Sequence, residues 1–480
     1  MKDLMDRAIN LASQGGAEYA DVRVVDNRTE NIATKDGVVE SLAFEETIGF
    51  GVRVLTAGGW GFASSRDLTA TEVERVTALA LEIAQASALT SGEKVELGPA
   101  VVSRGVYQTP AQIDPFSVSL EDKISLLLSA DAEMAKETGI RTRRGNLTFI
   151  RENKWFTNSE GAFTEQTIIE SGGGLQVLAV GEGEIQQRSY PNSFGRQQVT
   201  GGWEAILSWN LPGNARRIAS EAVALLTAPP CPAGETTIIL GGDQLALQVH
   251  ESCGHPIELD RVFGSEAAYA GTSFLTPEKL GTFRYGSDIV NLTADSLRPL
   301  GLGTFGWDDE GVAAHSTPIV KNGLFVGYLM SRETASKLGK TSNGCMRAMS
   351  WNRIPIIRMV NVSLEAGAWD WDDLIADTDK GIYMETNRSW SIDDKRYNFQ
   401  FGTEIGYEIK HGKLGRMLRN PTYTGLTPQF WNSCDAICNE RHWRMWGTPN
   451  CGKGQPSQTA HTGHGAAPAR FRNIRVGVLK

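Results

Sequence analysis

The sequence predicts an α+β protein: an N-terminal half of two helix-plus-antiparallel-meander units, then a mostly antiparallel β half carrying one short histidine-bearing helix. Three observations predict it. Apolar residues switch between a period near 3.6 and a period of 2 twice within the first 230 residues. Asp-Gly, Asn-Gly and His-Gly pairs separate alternating stretches, as tight hairpins require. Beyond a proline-rich break at 228–235, strand and turn patterns dominate.

A first helix is expected from Asp3, with Leu4, Ala8 and Leu11 on one face and Gly15-Gly16 as its stop. Residues 18–55 then alternate, Val22 and Val24 against Asp21 and Arg23, and Asp36-Gly37 marks a hairpin. From Thr71 the period is helical again: Val73, Val76, Ala80 and Ile83 share a stripe, and Glu74 stands three after Thr71 as a capping pair. A second round opens at Ser119 and Asp122, carries Leu120, Ile124, Leu127 and Leu128, and has Gly139 as its expected stop. Strands follow from Ile140 to about Ile185. Within them "GGGLQVLAVG" (172–181) matches "GFGVRVLTAG" (49–58) at five of ten positions with an offset of 123, which predicts an internal repeat of 1–115 and 116–230.

Another helix is expected over 214–226, with Ile218, Ala222, Leu225 and Leu226 inward. The prolines of "APPCPAGE" cannot continue it, so the domain boundary is placed there: an α+β domain over 1–230 and a β-rich domain over 231–480. Past the boundary, "ETTIILGG" reads as a buried strand and "DQLALQVHESCGH" as a helix capped by Asp243. Hairpins are expected at Asn322-Gly323 and His411-Gly412.

Composition excludes several function classes. A net charge of −9 without any Lys/Arg run argues against nucleic acid as a partner; the mild "RTRRG" at 141–145 reads as a solvated strand end. Six cysteines in 480 residues are too sparse for a disulfide scaffold and point to a reducing compartment. The first residues carry Asp3, Asp6 and Arg7 inside their apolar stripe, unlike a signal peptide, and no stretch approaches the ~20 apolar residues that span a bilayer. A cytoplasmic protein without membrane contact is expected.

The stretch "LQVHESCGHPIELDR" (247–261) carries the chemistry. His250-Glu251-x-x-x-His255 is one residue longer than the H-E-x-x-H of ordinary zinc peptidases. On an ideal α-helix, residues five apart differ by about 140° in azimuth and would point apart. One π-turn absorbs the extra residue and returns both to one face. Gly254 and Pro256 make that distortion bearable, so a π-turn or kinked helix end is predicted within 249–255.

A catalytic zinc needs three protein ligands and one open position. Candidates for the third are Cys253, Cys345, the Cys434/Cys438 pair, Cys451, and the His461-x-x-His464 pair. Cys451 is favoured: Gly452 and Gly454 let backbone approach closely, and Lys453 together with a divalent ion would lower the thiol pKa. His461 and His464 are the runners-up, while Cys434 and Cys438, four apart as on one helix face, read as packing. Glu251, adjacent to a ligand, is the expected general base. Glu258, Asp260, Asp308 and Asp309 are candidates to hydrogen-bond the ligand imidazoles. Arg347 and Arg358 are candidates to grip a peptide, or surface ion-pair partners.

These residues resemble the TldD/PmbA family of metallopeptidases, on its TldD-like, metal-bearing branch. The histidine stretch and "CGKGQ" at 451–455 carry the resemblance, with "GLGTFGWDDEGV" (301–312), "RIPIIRMVNVSLEAG" (353–367) and "TIGFGVRVL" (47–55) extending it over nearly the whole chain. The resemblance implies that His250, His255 and Cys451 ligate one zinc ion (Zn2+) per active subunit and that Glu251 is the general base. It implies a two-domain protomer that dimerises around an internal cavity, where an unfolded peptide is bound as an added strand and cut. The partner would be a second copy, as a homodimer, or a metal-free PmbA-like paralogue, as a heterodimer. Two segments depart from the family pattern: His461 and His464 stand where it more often shows apolar and glycine residues, and "WSIDDKRYNFQFGTEIGYEI" (390–409) is richer in aromatic and charged residues. Two other classes remain: a peptide-binding, chaperone-like module whose structural metal is closed by a fourth ligand such as His461, and a zinc amidase acting on a non-peptide substrate.

Overall fold

Asp36 and Gly37 both take positive φ, 49° and 84°, the two-residue turn whose twist matches flanking antiparallel strands. The computed structural model, which describes residues 1–90 and 92–477, places that turn between β1 (Tyr19–Lys35) and β2 (Val38–Thr56), with Lys35 opposite Val38. Ala57 and Gly58 (φ 51° and 79°) turn the chain from β2 into β3 (Gly59–Ser65). Helices α1 (Lys2–Gln14) and α2 (Ala70–Thr90) cover this meander, burying Met5, Ala8, Val73, Val76 and Ala80 against Val22, Val24, Phe50 and Val52.

Two local expectations shift by one or two residues. Helix α2 opens at Ala70 because Thr69, rather than Thr71, supplies the cap: its Oγ1 accepts from Glu72 N at 3.4 Å. Ile83 is exposed and Ala84 takes the inward position, since β3 comes too close for a large side chain. A Cβ on Gly61 would lie 2.0 Å from Ala80 O and 2.4 Å from Ala84 N. Gly61→Ala must therefore push α2 off the sheet, at a cost of about 1–3 kcal/mol. The urea midpoint followed by circular dichroism is expected to fall accordingly; an unchanged midpoint would mean that the helix moves away freely.

The same order of elements recurs. After β4 (Arg104–Gln108), helix α3 (Leu120–Met134) is capped by Ser119, whose Oγ accepts from Asp122 N at 3.0 Å. Strands β5 (Ile140–Asn158), β6 (Phe163–Gly181), β7 (Glu184–Tyr190) and β8 (Gln197–Thr200) follow, then α4 (Trp203–Ser208) and α5 (Leu211–Leu225). Gly139 (φ 95°) lies at the entrance to β5, since α3 already ends at Ala135. Helix α5 opens three residues before the expected start: Asn210 caps it through Gly213 N, and Pro212 suits a first turn. All eight strands share one sheet, ordered β3-β2-β1-β5-β6-β4 with β7 and β8 also on β6. Because β1 and β5 pair antiparallel, Asp21 opposite Asn158, the two helix-plus-meander units meet head to tail.

The C-terminal half begins with β9 (Gly234–Leu240) and α6 (Gly242–Val249). Gly241 rather than Asp243 occupies the cap position; the Asp243 carboxylate accepts from the adjacent Gln244 N and from the Thr386 side chain. Four short strands, β10 (Leu292–Asp295), β11 (Ser316–Lys321), β12 (Leu324–Phe325) and β15 (Val362–Leu364), form one small sheet, and β13 (Met346–Arg347) pairs with β14 (Ile356–Ile357). The expected turns at Asn322-Gly323 and His411-Gly412 form, each with two positive φ angles. Strands β16 (Lys380–Ile392), β17 (Asn398–Lys410), β18 (Lys413–Leu418), β19 (Thr422–Leu426), β20 (Cys434–Ile437) and β23 (Ala469–Val476) build the main sheet around β9. Its order β16-β9-β23-β19-β17 closes through a β16–β17 pairing, so five strands form a ring, with only β16–β9 parallel. A separate hairpin, β21 (Arg444–Lys453) and β22 (Gln458–Ala466), stands beside α6.

Buried charge pairs join the halves. Lys154 meets Asp309 at 3.0 Å, Arg332 meets Glu160 at 2.8 Å, and Arg53 lies between Asp21 (2.6 Å) and Glu310 (3.6 Å). Losing one partner of such a pair leaves an uncompensated charge in low dielectric, so these contacts tie the two halves together. Among the described residues, no helix is long and apolar enough to cross a membrane.

Candidate metal centre

The histidine stretch resolves its spacing by a change of helix type. Helix α6 ends at Val249, and residues 250–254 form a π-turn closed by the His255 N–H bonding back to His250 O, five residues earlier. The imidazole rings of His250 and His255 consequently lie 4.9 Å apart, edge to face. A Cβ on Gly254 would meet Met359 Sδ at 2.0 Å, so any larger residue at the turn must displace the Met359 side chain. Tyr423 holds the helix from the ring of strands, its hydroxyl accepting from Gln244 Nε2 at 2.8 Å and donating to Gln248 Oε1 at 3.0 Å.

Strand β21 brings Cys451 to this face. Its free Sγ is 3.6 Å from His255 Nε2, and one donor atom from each of His250, His255 and Cys451 lies within 4.8 Å of the others. Tetrahedral zinc with N and S ligands at its usual bond lengths separates such a pair by about 3.6 Å. Two imidazoles and a thiol, all buried, thus fit a zinc-type ion in chemistry and spacing. Arg358 braces the hairpin, donating to Cys451 O at 2.6 Å and Gln458 O at 3.1 Å. Arg347 donates to Met359 O and His461 O. Both arginines therefore hold backbone, and neither is a surface ion pair. Lys453 is engaged away from the thiol, by Asp260 Oδ1 at 2.7 Å and Ile357 O at 2.6 Å.

Each histidine has a partner on its other nitrogen. His255 Nδ1 is 3.0 Å from Glu258 Oε2, and His250 Nδ1 is 2.7 Å from His464 Nε2. Burial disfavours the charged imidazolium and lowers the pKa of all three histidines, that of His255 to about 3 despite the opposing pull of Cys451. They are neutral at physiological pH, the state that metal ligation needs. Of the other expected supports, Asp260 pairs with Lys453. Asp308 and Asp309 belong to the joint between the halves: Asp308 accepts from the backbone of Glu310, Val312 and Met346, and Asp309 pairs with Lys154.

Glu251 lines a cavity of about 370 Å³ beside the three donors. Its Oε2 accepts from Arg396 Nη1 at 2.8 Å, and Arg396 stands in the turn between β16 and β17 at φ 63°. Arg396 Nε and Trp446 Nε1, both buried and without an acceptor, belong to side chains lining the same cavity. Sequence reading missed these two residues; the "WSIDDKRYNF" segment stood out only as rich in aromatic and charged residues, and Trp446 carried no signal.

Of the remaining candidates, His464 reaches the site through its contact with His250, and the others do not join the three donors. His461 and His464 are three apart on β22 and so point to opposite faces. His461 pairs with Glu170 at 2.7 Å in a second cavity; burial opposes its charge, but the carboxylate outweighs that and raises its pKa. Cys253, Cys345, Cys434 and Cys438 are buried, with thiol pKa values raised by burial, that of Cys253 to about 12. Cys434 lies on β20 rather than on the helix its spacing to Cys438 implied. Among the described residues, His250, His255 and Cys451 form the only such metal-capable group.

Comparison with known proteins follows the same geometry. Family models for the PmbA/TldA metallopeptidase domain 1, central domain and C-terminal domain match residues 20–84, 113–227 and 233–477. Among curated relatives, the chain is 29% identical to metalloprotease MJ0996 of Methanocaldococcus jannaschii, over 88% of this chain and 90% of that one. It is 22% identical to a zinc metalloprotease TldD homolog of Saccharolobus solfataricus, over 98% and 99%. Two crystal structures share the fold: a Thermotoga maritima protein (TM-score 0.78, 18% identity, 99% of this chain and 100% of that) and TldE from Thermococcus kodakarensis (TM-score 0.73, 15%, 99% and 100%). With the C-terminal family model alone spanning more than half its length, the chain belongs to the PmbA/TldD family of metallopeptidases.

Proposed function

We propose that this protein is a zinc metallopeptidase that hydrolyses peptide bonds in unfolded segments bound as an added strand, with His250, His255 and Cys451 as the ligands and Glu251 as general base. One observation carries the reading: three buried donors meet beside a carboxylate that faces a cavity. The metalloprotease and zinc metalloprotease names of the relatives agree with it. His250, His255 and Cys451 would hold a zinc ion there, which when bound would lower the pKa of a water molecule and polarise a peptide carbonyl. Glu251 takes the proton from the attacking water and returns it to the leaving amine nitrogen. Arg396 keeps that carboxylate oriented until substrate arrives. Residues 448–452 of β21 line the cavity; Gln197, Asn192 and Arg358 already hold backbone groups of Met445, Gly447 and Cys451, and the stretch between them offers its backbone to an extended peptide. Such binding reads backbone more than side chains and favours unfolded substrates.

A closed structural metal is the less favoured alternative, because the fourth donor suggested for it, His461, pairs with Glu170 in the other cavity. The active assembly is a homodimer or a heterodimer with a metal-free paralogue, which native mass measurement distinguishes. The central test measures zinc per chain and cleavage of an unfolded polypeptide by mass spectrometry. Stoichiometric zinc is expected, with activity abolished by 1,10-phenanthroline and restored by one equivalent of Zn2+. Cleavage that survives complete removal of metal would sink the reading; hydrolysis of small amides alone would replace it by an amidase.

A further inference from the structure

We propose that His464 is a positioning residue: it sets the tautomer and the ring angle of His250, so that a bare His250 nitrogen faces Cys451 and His255. The inference rests on His250 being a metal ligand, as proposed above.

The argument follows hydrogens along one chain of contacts. His464 is fully buried, and its Nδ1 lies 2.8 Å from Val362 O on β15. A carbonyl oxygen only accepts, so His464 Nδ1 carries a hydrogen. In a neutral ring this leaves His464 Nε2 as a lone pair. That lone pair is 2.7 Å from His250 Nδ1, a separation that demands one hydrogen between the two nitrogens. His250 Nδ1 must supply it, which leaves His250 Nε2 bare. The opposite arrangement would put the hydrogen on Nε2 and block ligation. Thr462 Oγ1, 3.1 Å from His464 Nε2, is the hydroxyl nearest this contact.

The two elements behind the chain are pinned to each other. Gly465 N donates to Ser363 Oγ at 2.8 Å, and Asn361 bridges Gly463, so β22 cannot slide along β15. The imidazoles of His250 and His464 cross at 81°, so the hydrogen bond aligns only at one orientation of the His250 ring. His255 is held differently, by the Glu258 carboxylate. A neutral acceptor on His250 gives direction without adding another negative charge beside Cys451, Glu251 and Glu258.

The test uses the full chain and two variants. His464→Leu removes the acceptor at similar size; His464→Gln returns a carbonyl oxygen near the position of Nε2. Zinc affinity, read by competition with a chromophoric chelator, is expected to weaken about 10–100-fold in the leucine variant and to recover most of that in the glutamine variant. Separately, ¹⁵N-histidine spectra of metal-free protein are expected to show His250 as the Nδ1–H tautomer in the wild type and as a mixture in the leucine variant. A folded leucine variant with unchanged affinity overturns the proposal, as does a wild-type His250 carrying its hydrogen on Nε2. Should the wild type bind no zinc, the functional reading falls, whereas the tautomer spectra still decide the role of His464. If the leucine variant fails to fold, the wild-type spectra and the glutamine variant decide it.

Discussion

Glu251→Gln is expected to lower kcat/KM for peptide hydrolysis by about 10²–10⁴-fold while leaving zinc content at one per chain. The substitution is nearly isosteric. Its remaining carbonyl oxygen still accepts from Arg396, whose Nη1 stands 2.8 Å from Glu251 Oε2, so the cavity wall keeps its shape. What disappears is the capacity to hold a proton between water attack and amine departure. A carboxylate that served only to anchor Arg396 would give a different result: modest destabilisation and turnover within a few-fold of wild type. Steady-state cleavage with metal analysis on the same samples separates the two. Retained turnover would remove Glu251 from the mechanism.

Cys451→Ser is expected to weaken zinc binding by about 10²–10⁴-fold and to abolish activity at micromolar metal, because a serine hydroxyl stays protonated where a thiol gives up its hydrogen to a metal. The side chain is buried, and the change of one atom leaves the backbone brace from Arg358 to the residue 451 carbonyl in place. The fold is therefore expected to survive, as judged by circular dichroism and native mass. Competition against a chelator of known affinity gives the loss directly. Full zinc occupancy in the serine variant would mean that the sulfur is not a ligand, whatever its 3.6 Å distance from His255 Nε2.

Much of the local structure could be read in advance, for reasons that act over a few residues. Asp36-Gly37, Asn322-Gly323 and His411-Gly412 turn where expected because each pair tolerates two positive φ angles and the flanking strands alternate. Ser119 caps α3 through a side-chain oxygen three residues ahead of its donor. The departures are local too. Thr69 and Thr71 are equally good caps in isolation, and it is Thr69 Oγ1 that accepts from Glu72 N. Ile83 and Ala84 are both apolar, and the Gly61 contact admits only the smaller.

In the site, the five-residue gap between His250 and His255, with Gly254 and Pro256 beside it, predicted a π-turn or a kinked helix end with two imidazoles on one face, and the π-turn is the one that forms. Partners from far along the chain are another matter. Cys451 reaches His255 across 196 residues, Arg396 reaches Glu251 across 145, and His464 reaches His250 across 214. Cys451 announced itself by its glycine-flanked box, whereas His464 and His461 look alike until the pleat of β22 sends one to His250 and the other to Glu170. Backbone preference is written in adjacent residues. The meeting of distant side chains depends on how a ring of strands, a hairpin and a helix stack, and that is settled by burial summed over the whole core.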